Sequence, residues 1–130
     1  MQPQEVSIAK GWCTAAEGGE GGGAVWHNPA QVVLEGNEVV VIEDDHRYAD
    51  PRRFVFSIDG LSIEIREHRE TIENGVEIWG SLFLQEKGGN WFTRALNALL
   101  GKKQVKFEES ERHAFEAFAV QVRARIGQSG

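Results

Sequence analysis

The chain has 130 residues, 41% of them apolar and 26% charged. That is the size and balance of one globular domain with a core of its own, and it excludes an extended disordered chain. A net charge of −6 disfavours two large polyanionic partners, nucleic acid and an anionic membrane surface.

No apolar run exceeds the length of Val39 to Ile42, far short of a bilayer span. The polar residues after Met1 lack the apolar stretch of a secretory signal. The expected location is therefore the cytoplasm. With a single cysteine, Cys13, no intramolecular disulfide can form and the redox compartment stays open.

In chain order, Val6, Ile8 and Trp12 alternate with polar residues and predict a first strand. Residues 17–23 hold five glycines and two glutamates and predict a flexible loop. It is not a phosphate cradle, because no lysine and Ser/Thr follow the last glycine. Gln31 to Glu35 and Glu38 to Glu43 read as strands joined by a Gly36-Asn37 turn of type II′ or I′. Asp44 to Pro51 is polar, ends in proline and reads as a loop.

Arg53 to Ile58 puts Phe54, Phe56 and Ile58 on one face of a strand. Asp59-Gly60 then predicts a two-residue hairpin that sets Ile58 opposite Leu61, Phe56 opposite Ile63 and Phe54 opposite Ile65. Asn74-Gly75 predicts a second hairpin, with Thr71 opposite Ile78, Glu67 opposite Leu82 and Ile65 opposite Leu84. In that register Trp79 and Phe83 leave the core face and Arg66 comes opposite Phe83.

A helix is expected at about 90–100, capped by Asn90, ended by Gly101 and striped by Phe92, Ala95, Leu96, Leu99 and Leu100. Gln104 to Glu108 reads as a short strand with Val105 and Phe107 on one face. A C-terminal helix is expected at about 110–126. Ser110 would be its N-cap, and Phe115, Phe118, Ala119, Val122 and Ile126 its buried stripe.

The tally is a single α+β domain, residues 1–130. It is an antiparallel meander of six or seven strands with an inserted helix and a C-terminal amphipathic helix. This count and order resembles the pleckstrin-homology-like (PH-like) barrel, a seven-stranded meander closed at one end by a C-terminal amphipathic helix. Two other forms fit the same pattern: a strongly curved open sheet, and a sheet with both helices on one face.

For chemistry, the pattern points away from an enzyme. No Gly-x-Ser-x-Gly elbow exists, Cys13 reads as a small buried hydrophobe, and no cofactor motif is present. No two histidines sit at metal-ligand spacing, but tertiary proximity could assemble a metal site, for instance from His46 with Asp44 and Asp50. Trp79, Phe83 and Arg66 could form an aromatic–cation binding surface. Trp26 and His27, beside the glycine-rich loop, could gate a ligand.

The leading expectation is a non-catalytic module that recognises a protein partner. The alternatives are a small-ligand or metal-binding protein, possibly enzymatic, that uses the barrel mouth and the 44–50 loop, and single-stranded nucleic-acid binding on the sheet face.

Overall fold

The computed structural model describes residues 8–17, 24–86 and 102–129. Their period-two patterning builds seven strands: β1 (Ile8–Glu17), β2 (Ala24–Glu35), β3 (Glu38–Glu43), β4 (Arg52–Ser57), β5 (Leu61–Ile72), β6 (Gly75–Glu86) and β7 (Lys102–Glu108). All pair antiparallel in one sheet of order β4-β3-β2-β1-β7-β6-β5. A 3₁₀ turn, Glu109–Glu111, leads into α1 (Arg112–Ser129). The class is α+β with one α-helix among the described residues. The helix expected at 90–100 and residues 18–23 of the glycine-rich loop lie outside them.

The sheet is strongly curled. Phe54 stands on edge strand β4, four strands from β7, about 19 Å away in a flat sheet. Yet the Lys103 ammonium of β7 lies 3.9 Å from its ring centroid. The curl stops short of closure, because β4 and β5 do not pair and form the two edges. The closed barrel is therefore not formed.

Alternating side chains fill the concave side: Val32 and Leu34 of β2, Val39 and Val41 of β3, Leu82 and Leu84 of β6, Val105 and Phe107 of β7. α1 closes this side. Its residues Phe115, Phe118, Ala119 and Val122 recur at helical spacing and are fully buried. Phe115 stacks on Phe107 with centroids 4.2 Å apart. Each buried phenylalanine stabilises by roughly 1.5–3 kcal/mol. The helix begins after the 3₁₀ turn, so Ser110 lies inside that turn and is not an N-cap, and it runs past Gly127 to Ser129.

Two expected pairings are corrected. Asp59-Gly60 does make a turn, closed by the Leu61 amide on the Ile58 carbonyl at 3.2 Å. But β4 and β5 stand at opposite edges of the sheet and do not pair, so no hairpin joins them. The cause lies in the backbone. Gly60 takes φ 73 while Asp59 keeps a negative φ, which are the signs of a type II turn, and that type splays its flanking strands. Phe56 and Ile63 still share one core.

The second hairpin does form, with its register moved by two residues. Ile72 faces Gly75, and Ile65 faces Leu82. Glu73 and Asn74 occupy the turn at negative φ, and Gly75 takes φ 138 as the strand restarts. A shift of two keeps every side chain on its expected face. The Gly36-Asn37 hairpin has the φ signs of type II′, with φ 58 at Gly36 alone. β2 is longer than expected and takes Trp26 to Pro29 into the strand.

Two glycines allow close approaches. A Cβ on Gly11 of β1 would stand 2.0 Å from the Lys106 carbonyl oxygen, and one on Gly80 of β6 would stand 2.4 Å from the Phe107 ring. Neither neighbour can yield, since one is backbone and the other is a buried ring stacked on Phe115. Gly80→Ala is expected to cost about 1–3 kcal/mol by overpacking, and Gly11→Ala more than Gly80→Ala, because it pushes β1 off β7. Urea unfolding curves of the two variants measure both, and equal, near-zero losses would contradict this packing.

Candidate functional site

Two groups of polar and aromatic side chains stand apart from the apolar core, one inside the curl and one on its outer face.

The inner group follows from strand alternation. Glu43 shares the inward face of β3 with Val39 and Val41, and Lys103 shares that of β7 with Val105 and Phe107. The curl brings them together, with Lys103 Nζ 2.6 Å from Glu43 Oε1. Asn28 of β2, itself buried, donates from Nδ2 to Glu43 Oε2 at 2.7 Å. Burial alone would push the Glu43 carboxyl up. The bonds from Asn28 and Lys103 outweigh it, so the carboxyl titrates below its ordinary range. Cys13 of β1 is buried beside this pair, and burial pushes its thiol up to about 12.

The 44–51 loop continues from this group. Asp45, not Asp44, is its buried carboxylate. Arg47 donates to it from Nε at 3.0 Å and from Nη2 at 2.6 Å, and these bonds hold its pKa well below the carboxylate range. The Arg47 guanidinium also lies 4.9 Å from the Trp26 ring, and His46 meets that ring edge-on at 5.2 Å. Arg52 lies between Tyr48 and Phe54 at 4.9 and 5.0 Å. Asp44 and Asp50 are exposed. Among the described residues no group of three or more His, Cys, Asp or Glu side chains is placed to hold a metal ion.

The outer group lies on the convex face of β5, β6, β7, β1 and β2. Phe83 and Trp79 point there because Leu82 and Leu84 point inward. Both are half-buried. The Arg66 guanidinium lies 4.7 Å from the Phe83 centroid. It reaches the ring diagonally, because Phe83 faces Glu64 directly and Arg66 faces Ser81. Glu64 accepts from Arg66 at 3.0 and 3.2 Å, and this holds its carboxyl down.

His68 stacks on Trp79 at 4.0 Å, and the Lys106 ammonium lies 5.0 Å from the same indole. On β1, Trp12 pairs with Lys106 and stacks at 5.5 Å on His27 of β2. Ser62, Glu64, Arg66, Phe83, Lys102 and Gln104 line a depression of about 380 Å³ on this face.

The structure thus unites Trp79, Phe83 and Arg66 on one surface and extends it through His27. Trp26, one residue away, points to the other side of β2 and belongs with the 44–51 loop. Sequence reasoning missed Trp12, whose outward position follows from its alternation with inward Cys13. It also missed Lys103 and Glu43, which their strand phase marks as inward charges of opposite sign.

Comparisons with protein-family models, with curated proteins and with solved structures found no match to the chain.

Removing one partner of a buried ion pair strands the other charge, at a cost of about 3–5 kcal/mol. Lys103→Met is expected to lose stability on that scale at neutral pH. A carboxyl held below its unfolded pKa stabilises the fold above the unfolded value, 4.5, and loses that contribution as pH falls through the folded one. Acid unfolding of the parent should therefore steepen below about pH 4.5, and Glu43→Gln should flatten that limb. Parallel acid titrations followed by circular dichroism read both effects.

The Cys13 thiol should be silent to disulfide reagents at pH 8 in the folded state and react fully in denaturant. Rapid stoichiometric labelling of native protein would contradict its placement.

Proposed function

We propose that this chain is a non-catalytic binding module that recognises a protein partner on the convex face of β5, β6, β7 and β1. The carrying observation is the row of aromatic rings with cations laid against them: Phe83 with Arg66, Trp79 with Lys106, and Trp12 beside Lys106. Aromatic and arginine side chains supply most of the binding free energy at protein interfaces. Although the net charge is −6, Arg66, Lys102 and Lys106 stand on this face, where Glu64 is already bonded to Arg66 and Glu108 lies opposite Trp79. The partner segment that suits it carries carboxylates and apolar or aromatic side chains.

The arrangement of the helix supports this reading. α1 packs on the concave side, and no described element lies across the convex one. The fold assignment that goes with it is the PH-like type in an open form. Its support is the seven-strand antiparallel meander with a C-terminal amphipathic helix against the interior. Among the described residues, no helix is long and apolar enough to cross a membrane. The proposed setting is the cytoplasm, where a reduced Cys13 is the ordinary state.

Random-peptide phage display on the purified chain tests the proposal. Selected peptides should be rich in Asp, Glu and aromatic residues. Phe83→Ser and Arg66→Ser should each weaken their binding by about tenfold or more, with thermal stability retained. Selections that yield no binders, or binders indifferent to both substitutions, would remove the proposal.

A further inference from the structure

β5 is an edge strand of twelve residues, and its free edge has a definite polarity. The Leu61 amide bonds to Ile58 and the Ile63 carbonyl accepts from Arg123 at 3.1 Å, both on the side away from β6. Backbone groups along a strand alternate in direction. The N–H and C=O groups of Ile65, Glu67, Arg69 and Thr71 therefore face outward as well. Arg123 covers the edge at Ile63, and among the described residues the uncovered stretch runs from Glu64 to Ile72. Nearly all of its side chains are exposed.

A row of unpaired backbone groups is a template for another strand. Its charge order decides which strand fits. Two copies of β5 meeting about a twofold axis pair antiparallel, residue i with j and j with i. Side chains on one face must stay together, so the axis passes through a residue.

Centring on His68 sets Arg66 opposite Glu70 of the second copy, Glu67 opposite Arg69, and Ile65 opposite Thr71. Every charged pair in this set is of opposite sign. Centring on Glu67 or Glu70 puts two glutamates face to face, and centring on Arg66 or Arg69 puts two arginines face to face. Opposite charges across a strand pair stabilise, and like charges destabilise.

We infer that the chain forms a homodimer by antiparallel pairing of two β5 edges, centred on His68 and spanning Glu64 to Ile72. The pairs Ile65–Thr71 and Glu67–Arg69 each exchange two N–H···O bonds, since their backbone groups face the edge. The His68 pair is the non-bonded kind, with Cα atoms about 4.5 Å apart. On the convex side, Arg66 lies between its own Glu64 and Glu70 of the second copy. The two sheets become one, and their convex faces run on across the axis. This inference stands on the register of β5 and is independent of the partner proposed above.

Sedimentation velocity over a concentration series, joined to a cysteine scan, tests it on the full chain. The parent should show a monomer–dimer equilibrium. Thr71→Pro removes an outward amide that the monomer does not use, and Glu70→Arg faces Arg66 of the second copy. Each should weaken the dimer about tenfold or more with the circular dichroism spectrum of the monomer retained. Arg66→Glu combined with Glu70→Arg should restore it.

His68→Cys should cross-link to itself under mild oxidation, because its Cα separation suits a disulfide. Arg66→Cys and Glu70→Cys should link to each other when mixed and not to themselves, while the buried Cys13 stays out of the reaction. A monomer at every concentration overturns the inference. So does a dimer untouched by Thr71→Pro, or one that cross-links best through a different residue of β5.

Discussion

The seam between β1 and β7 is the constraint from which the rest of the structure follows. β1 to β4 and β5 to β7 are each stitched by consecutive antiparallel pairings. Among the described residues the two blocks pair as strands only here, in a ladder with a single paired position, Trp12 with Lys106. Beside it the chains approach so closely that only glycine fits at position 11. The contact joins residues more than ninety positions apart, so its loop-closure cost falls on folding as a whole. A side chain at Gly11 would part the blocks and also strike Phe115 of α1, which packs behind the same point.

With the seam made, the blocks roll toward each other, and two consequences follow. The first is internal. Lys103 reaches Glu43 and the Phe54 ring from strands that a flat sheet would keep far apart. An ion pair in a core is weak support for stability and better suited to fixing one arrangement over others. Here it rewards the degree of curl that brings β7 against β3, and Asn28 fills the remaining carboxylate oxygen.

The second consequence is external. Because α1 occupies the concave side, the aromatic residues that alternate with core leucines on β6 are left to the convex side. Trp79 and Phe83 take cations as neighbours there instead of a helix.

Much of this was legible in the residues. Strand phase placed Phe56, Ile63, Leu82, Leu84, Val105 and Phe107 in one core, and helical spacing placed Phe115, Phe118, Ala119 and Val122 against it. It also separated Trp79 and Phe83 from that core. Phase survives a register error of two, so the faces of β5 and β6 were right while their partners were not. Pairing partners were the harder matter. Asp-Gly is compatible with a hairpin turn and with a splayed one, and with Gly60 alone at positive φ the chain takes the splayed form. β4 therefore pairs through one edge only, setting Phe56 and Phe54 opposite Val39 and Val41 of β3. The Lys103–Glu43 pair needed long-range geometry, although the inward phase of each charge was visible.

The splayed turn at 58–61 also decides what kind of surface the molecule presents at its rims. A tight hairpin there would have joined β4 to β5 and closed the ring, which leaves no edges. Splaying creates two. β4 is short and carries Arg52 and Arg53, a common way to blunt an edge. β5 is twice as long, and charge alone does not blunt it, because charges block pairing only when they repel across the new ladder. Glu64, Arg66, Glu67, Arg69 and Glu70 repel in every symmetric register centred on one of the charged residues from Arg66 to Glu70. They attract in the one centred on His68. The same charges therefore act against indiscriminate strand addition and favour the self-pairing centred on His68, which is also the register that spans the whole stretch from Glu64 to Ile72. Arg123 on the Ile63 carbonyl marks where that pairing must stop.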